Sequence, residues 1–243
     1  MKTTKIEWTD KTWNPITGCT KFSAGCSHCY AEVMSRRLHA MGVEKYANEF
    51  KLSLHEDCLD DPIAWKKAHN IFVCSMSDIF HNDVPFDFVD RIMYTIRQTP
   101  LHRYQILTKR AERMAEYFST RQVPANVWIG VTVEAVSSKH RIDLLRNIPA
   151  TVHFLSCEPL LENLGKLSLD GIEWVIVGGE SGPKARPMRE EWVMDIKRQC
   201  EDQHSAFFFK QWGTYGADGV KRSKHANGKL LDGQIVQQMP RRR

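Results

Sequence analysis

Cys19, Cys26 and Cys29 fall within eleven residues as C-x6-C-x2-C, inside the segment GCTKFSAGCSHCYAE that runs from 18 to 32. Thiolates are soft ligands, and three on one loop suit a metal better than a disulfide. The total of seven cysteines is odd, and the sequence opens without an apolar export signal, which points the same way. Tyr30, Val33, Met34, Arg37 and Leu38 follow a 3.6-residue period. They predict a helix beginning around His28, with its N-terminal amides beside the thiolates. Two metals suit this pattern. Structural zinc takes four protein ligands, so His28, His39 or Cys58 would have to supply the fourth. A [4Fe–4S] cluster held by three cysteines keeps one iron open to a cofactor.

The other four cysteines read differently. Cys200 lies on a helical apolar stripe and Cys74 in an apolar run, so both read as core, where free cysteine behaves as a small hydrophobe. Cys157 stands beside Glu158 at the end of such a run, facing either the core or a site. Cys58, among His55, Glu56, Asp57 and Asp60, is the spare ligand if the metal is zinc and otherwise a surface-loop residue.

The elements that position these residues follow from apolar periodicity. Short runs rich in β-formers predict strands at Ile71–Ser75, Tyr104–Thr108, Val127–Val133, Val152–Ser156, Trp174–Val177 and Ala206–Phe209. Their unbroken apolar character suits strands buried on both faces, as in a parallel sheet. Between them, Phe88, Val89, Ile92, Met93 and Ile96 form a helical stripe between Pro85 and Pro100. Ile142, Leu144 and Leu145 form a second, and Trp192, Val193, Ile196 and Cys200 a third. Strand and helix alternate, so the expected fold class is α/β, a partial or full (β/α) barrel of parallel strands with outer helices. Neither G-x-G-x-x-G nor G-x-x-x-x-G-K-[ST] is present, which removes both common nucleotide fingerprints.

Each predicted strand runs into polar or glycine residues. These are Ser75, Ser77 and Asp78, then Lys109, Glu134, Glu158, Gly178-Gly179-Glu180 and Lys210. In (β/α) barrels that face carries the active site, so these residues are the candidate lining of a polar mouth. The glycines permit close backbone approach to a ligand.

The chain has 243 residues, of which 42% are hydrophobic and 26% charged, the composition of a soluble globular protein. No apolar run approaches the roughly 20 residues of a membrane span, and a cytoplasmic location is expected. The formal charge of +5 is uneven. Lys221 to Arg243 carries seven basic residues against Asp232, while the other 220 residues are nearly neutral at −1. We therefore expect a barrel domain over 1–212 that includes the cysteine loop, and a basic extension over 213–243 made of loops. Lys221, Arg222, Lys224, Lys229 and Arg241–Arg243 suit contact with nucleic-acid phosphates.

The cysteine motif resembles that of radical S-adenosylmethionine (SAM) proteins. These carry three cysteines, usually as C-x3-C-x-Φ-C with Φ aromatic, after the first strand of a partial (β/α)6 barrel. Here the first gap is six residues, His28 precedes the last cysteine and Tyr30 follows it. The stretches IEWTDKTWNP, GCTKFSAGCSHCYAE, SMSDIFHNDVP, ILTKRAERM, VWIGVTVE, FLSCEPLL, WVIVGGESGPKARPM and FFKQWG resemble a phage- and prophage-associated three-cysteine family, itself similar to radical SAM proteins. That resemblance runs from Ile6 to about Met239. The sequence departs from the family pattern at Cys74 and Cys157, and LDGQIVQQMP lacks the Trp-Asp-Glu that often follows LDG.

The resemblance implies a [4Fe–4S] cluster on Cys19, Cys26 and Cys29, SAM on the open iron, and a 5′-deoxyadenosyl radical that takes hydrogen from a substrate. On that reading Ser75, Ser77 and Asp78 would meet the methionine end of SAM. Glu134 would bind its ribose, and Gly178, Gly179 and Glu180 would line its adenine or methionine side. Lys109, Glu158 and Lys210 remain for substrate or proton handling. The expected partners are a nucleic acid and a partner protein, with no membrane. The alternative is a structural zinc, nucleic-acid-binding protein without catalysis.

Overall fold

Chain-ordered apolar runs become one parallel sheet in the computed structural model, which describes residues 4 and 6–240. Its strands are β1 (Lys11–Trp13), β2 (Asn70–Val73), β3 (Arg103–Thr108), β4 (Val127–Thr132), β5 (His153–Cys157), β6 (Trp174–Gly178) and β7 (Ala206–Gln211). They pair in sequence order. The registers are parallel, with Lys11 opposite Ile71, Asn70 opposite Arg103, Phe154 opposite Trp174, and Trp174 opposite Ala206. The six expected strands are present with ends moved by a residue or two. The three-residue β1 is additional.

Five helices follow in the crossovers: α1 (Tyr30–Ala40), α2 (Phe86–Gln98), α3 (Ala111–Phe118), α4 (His140–Arg146) and α5 (Glu190–Asp202). The fold is α/β, a partial (β/α) barrel. The outer edge of β7 explains why the ring is partial. Phe209 N–H donates to Val236 O at 2.7 Å and Gln238 N–H to Phe207 O at 3.0 Å, so residues 236–238 cover that edge as an antiparallel strap. A covered edge is closed to further strand pairing.

The chain divides into two compact units. The first comprises Met1–Phe22, Cys29–Ile129 and Ile148–Thr151. In it the stripe of α2 (Phe88, Val89, Ile92, Met93 and Ile96) is buried, as expected, and Pro85 is the N-cap. α3, which the apolar pattern had not signalled, buries Met114, Tyr117 and Phe118. α1 corrects the expected packing. It starts at Tyr30 with Cys29 as N-cap, and Tyr30, Val33 and Met34 are exposed. Its inner face is Ala31 and Ser35, with Ala31 packed on Tyr46 and Met76 and the Ser35 hydroxyl bonded to Glu49 O. Small side chains let the helix sit close, Leu38 of the predicted stripe packs on the same cluster, and Tyr30, Val33 and Met34 are turned outward.

The second unit comprises Ser23–His28, Gly130–Asn147 and Val152–Arg243. Phe154, Trp174, Phe207 and Phe209 fill its core, with Val193, Ile196 and Cys200 of α5 against them. Each such fully buried side chain contributes about 1.5–3 kcal/mol of transfer free energy. Residues 213–240 are not loose loops. They form a short helix at Lys224–Asn227, a hairpin of Leu230–Leu231 with Gln234–Ile235, and the strap on β7. Arg241–Arg243 lie outside the described residues.

Candidate functional site

In the first unit the cysteine loop begins at Gly18, whose φ is +77°. A Cβ there would stand 2.2 Å from Lys51 O, so only glycine fits this close approach. Gly18 N–H donates to Met76 O and Cys19 N–H to Phe50 O, both at 3.1 Å, and the Ser77 hydroxyl bonds Gly18 O. The exit of β3 then places Arg110, the N-cap of α3, against the loop. Arg110 is 4% exposed. Its Nη1 donates to Cys19 Sγ at 3.6 Å and to Asp78 Oδ2 at 3.2 Å, and its Nη2 to Thr20 O and Thr20 Oγ1 at 3.2 and 3.1 Å. A guanidinium donating to sulfur favours the thiolate that a metal needs.

Asp78 fixes that arginine. It also accepts from Thr108 Oγ1 at 2.6 Å, from Lys109 N–H at 3.1 Å and from Phe80 N–H at 3.0 Å. The carboxylate at the exit of β2 is therefore engaged by protein donors. Thr20 Oγ1 also meets His81 Nε2 at 2.8 Å. Burial, then the Arg110 charge, lower the pKa of His81. Ser75 Oγ donates to Asn14 Oδ1, and Ser75 O accepts from the Tyr30 hydroxyl.

In the second unit the loop continues as a 3-10 turn, Ala24–Cys26. Gly25 packs on Glu134, where a Cβ would come within 3.0 Å of the Glu134 Cγ. Glu134 is fully buried and pairs with Arg141 Nη1 at 2.9 Å, and the same nitrogen bonds Thr132 O. Glu180, just beyond β6, ties the loop from the other side. Its Oε2 meets His28 Nδ1 at 3.2 Å, and Arg186 grips both of its oxygens, Nη2 to Oε1 at 2.6 Å and Nε to Oε2 at 2.9 Å. Arg186 Nη1 then donates to Ala24 O at 3.0 Å. Burial raises the Glu180 pKa, but the Arg186 and His28 hydrogen bonds outweigh it and hold the carboxyl below its ordinary value.

Two residues expected to act together do meet. Lys210 Nζ, near the end of β7, lies 2.6 Å from Glu158 Oε2, just beyond β5, and Ser156 Oγ donates to the other carboxylate oxygen at 3.2 Å. Gly178 leaves room for this pair, since a Cβ there would come within 3.0 Å of Glu158 Oε2. Gly179 is stricter, because its Cβ would fall 1.9 Å from Trp212 O.

Residues 3–240 match the family model described as "Protein of unknown function (DUF5131)". The chain belongs to this family. No curated protein matches it in sequence. Among solved structures it is similar to a spore photoproduct lyase complexed with dinucleoside spore photoproduct, at 9% identity and a TM-score of 0.42. That match covers 82% of this chain, which spans 62% of the lyase chain. A cysteine-to-alanine variant of spore photoproduct lyase gives 10% identity and a TM-score of 0.49, covering 86% of this chain and 78% of that one.

The cysteines of this DUF5131 chain separate into two classes. Cys19, Cys26 and Cys29 are partly exposed, whereas Cys58, Cys74, Cys157 and Cys200 are buried. Burial pushes the Cys200 thiol up to about 12 and raises those of Cys74 and Cys157 as well. Cys157 is thus core, and Cys58 is no surface residue: it is buried, with Lys45 Nζ donating to its sulfur at 3.0 Å. Among the described residues, no group of three or more His, Cys, Asp or Glu stands in a metal-holding arrangement. Cys19 and Cys29 belong to the first unit and Cys26 to the second. Sequence reasoning missed Arg110 and Arg186 as the residues that fix the loop. Arg110 did sit at a strand exit, but nothing in the sequence marked Arg186.

Proposed function

We propose that this chain is a radical SAM-type enzyme whose [4Fe–4S] cluster is held by Cys19, Cys26 and Cys29. One observation carries the reading: the three motif thiols are partly exposed on a loop held by arginine hydrogen bonds, while the other four are buried. The donor set fits the group, being three soft sulfur ligands with a guanidinium at one and a helix N-terminus at another. Held by Cys19, Cys26 and Cys29, such a group would supply one-electron reduction of SAM and with it radical chemistry on a substrate.

The chain's own residues hold and orient. Arg110, fixed by Asp78, orients Cys19 and donates to its sulfur. Glu180 and Arg186 hold the Ala24–His28 stretch, and Glu134 supports Gly25. Ser75 and Ser77, whose hydroxyls already donate to Asn14 and Gly18, would offer their remaining lone pairs to SAM, with the backbone of Gly178 and Gly179 on its other side. On this reading Asp78, Glu134 and Glu180 serve SAM chiefly by setting the loop. Glu158 and Lys210 form the proton-handling pair, with Lys109 left for substrate.

Anaerobic reconstitution with iron and sulfide tests the reading. We expect about four irons per chain, broad visible absorbance, and release of 5′-deoxyadenosine from SAM under a strong reductant. A colourless protein holding one zinc refutes the proposal. So does full iron uptake by a Cys26→Ala or Cys29→Ala variant.

A further inference from the structure

Two basic segments, distant in sequence, are stitched together in the second unit. Residues 181–189 carry Lys184, Arg186 and Arg189 without an acid, and 213–229 carry Lys221, Arg222, Lys224 and Lys229 with Asp218 alone. Thr214 joins them, donating its N–H to Glu180 O and, through Oγ1, meeting Gly182 N at 2.9 Å. Lys221 Nζ reaches Pro183 O at 3.1 Å, and Asn227 Nδ2 ties back to Thr214 O at 2.9 Å. Seven cations therefore lie on two segments joined beside the loop beyond β6. Glu180 pairs with Arg186, Asp218 with Arg222 and Glu191 with Arg189, and the two segments themselves contribute Asp218 as their one acid. Lys184, Lys221 and Lys224 are exposed. Arg186, which also bonds Ala24 O, connects this surface to the cysteine loop.

We infer that this surface binds the phosphate backbone of a nucleic acid and presents a nucleotide to the cysteine loop. That the bound strand is the substrate rests on the function proposed above, but its binding does not. The chemistry favours nucleic acid over an anionic lipid surface. The cations ride on short, mutually hydrogen-bonded loops rich in Gly, Ser, Thr and Asn, the donors that fix phosphates in register. A lipid-binding surface uses a long amphipathic helix, and the helix here, Lys224–Asn227, has four residues.

The probe is a fluorescein-labelled 20-nucleotide single-stranded DNA, followed by anisotropy between 50 and 200 mM salt. About four phosphate contacts should give a slope near −3 in log affinity against log salt. The combined K184Q/K221Q/K224Q change should weaken binding about tenfold at low salt and make the slope shallower by ~2. K184E/K221E/K224E should weaken it further. K66E/K67E, which reverses two exposed lysines of the first unit, should bind as wild type does. Absence of wild-type binding at 50 mM salt overturns the inference. So does equal affinity across the series, or binding to phosphatidylserine vesicles in place of the oligonucleotide. Iron content separates the two proposals. A chain that binds DNA but takes up no iron sinks the enzyme reading alone, and an iron-loaded chain that ignores DNA sinks this one alone.

Discussion

Replacing Arg110 with alanine removes the link between the exit of β2 and the cysteine loop, and its cost follows from the contacts. Breaking a buried ion pair costs about 3–5 kcal/mol when the surviving charge loses its partner. Asp78 keeps three donors (Thr108 Oγ1, Lys109 N–H and Phe80 N–H), which places this change at the low end. The two Nη2 bonds to Thr20 are lost as well, each contributing ~1 kcal/mol. A total of ~5 kcal/mol corresponds to a Tm lower by about 10–20 °C for a chain of this length. Arg110→Lys separates stability from positioning. It keeps a cation beside Asp78 but loses the fork to Thr20 and Cys19, so it should cost only ~1–2 kcal/mol.

Iron then reads the second role. Arg110→Ala should take up little iron. Arg110→Lys should bind the cluster with a midpoint potential lower by ~60 mV, because a hydrogen bond to a ligating sulfur favours the reduced state, and 59 mV is ~1.4 kcal/mol for one electron. Differential scanning calorimetry, iron analysis and a redox titration monitored by electron paramagnetic resonance provide the three readouts. An Arg110→Ala protein that melts within ~2 °C of wild type and carries a full cluster would show that the network is ornamental.

Three further outcomes follow from local geometry. Cys200→Ser places a hydroxyl on the buried face of α5 and should lower stability by ~1–2 kcal/mol in urea titration while leaving iron content unchanged. Gly179→Ala drives a methyl into Trp212 O, and soluble yield or Tm should fall sharply, whereas Gly178→Ala meets only the movable end of Glu158 and should fold. Asp90 accepts from Arg121 at 2.7 and 3.0 Å and from the Tyr117 hydroxyl at 2.6 Å, which together outweigh desolvation and hold its pKa below the ordinary value, the Arg121 bond most of all. Its contribution is therefore complete above the ordinary aspartate range and lost as pH falls through the lowered pKa. Asp90→Asn should cost at most ~1 kcal/mol near neutral pH, given the half-open setting, with a gap that closes in acid.

The strands were legible because burial on both faces leaves unbroken apolar runs. β1 was not, because Lys11–Trp13 has no such run and is a strand by virtue of its ladder to β2. The period of α1 located the helix and, through Leu38, part of its inner face, but Ala31 and Ser35 are small enough for close contact and carry little apolar signal. The cysteine spacing identified the loop directly. Its supports come from far away in the chain: Arg110 lies 91 residues from Cys19 and Arg186 162 residues from Ala24. No local pattern encodes such contacts.

The strand-exit carboxylates show why type and position alone left their roles open. Asp78, Glu134 and Glu180 are all buried, and each is paired with an arginine: Arg110, Arg141 and Arg186. A buried carboxylate needs a partner to offset its desolvation, and arginine stays charged at any accessible pH. These pairs are held charges that shape the loop. Glu158 departs from the series. Its partner is Lys210, a flexible amine in place of a guanidinium, and the side chains of Glu158 and Lys210 are 14% and 23% exposed. Among the four exit carboxylates it is therefore the one paired with an amine on a half-open surface, a distinction made by the partner and not by the carboxylate itself.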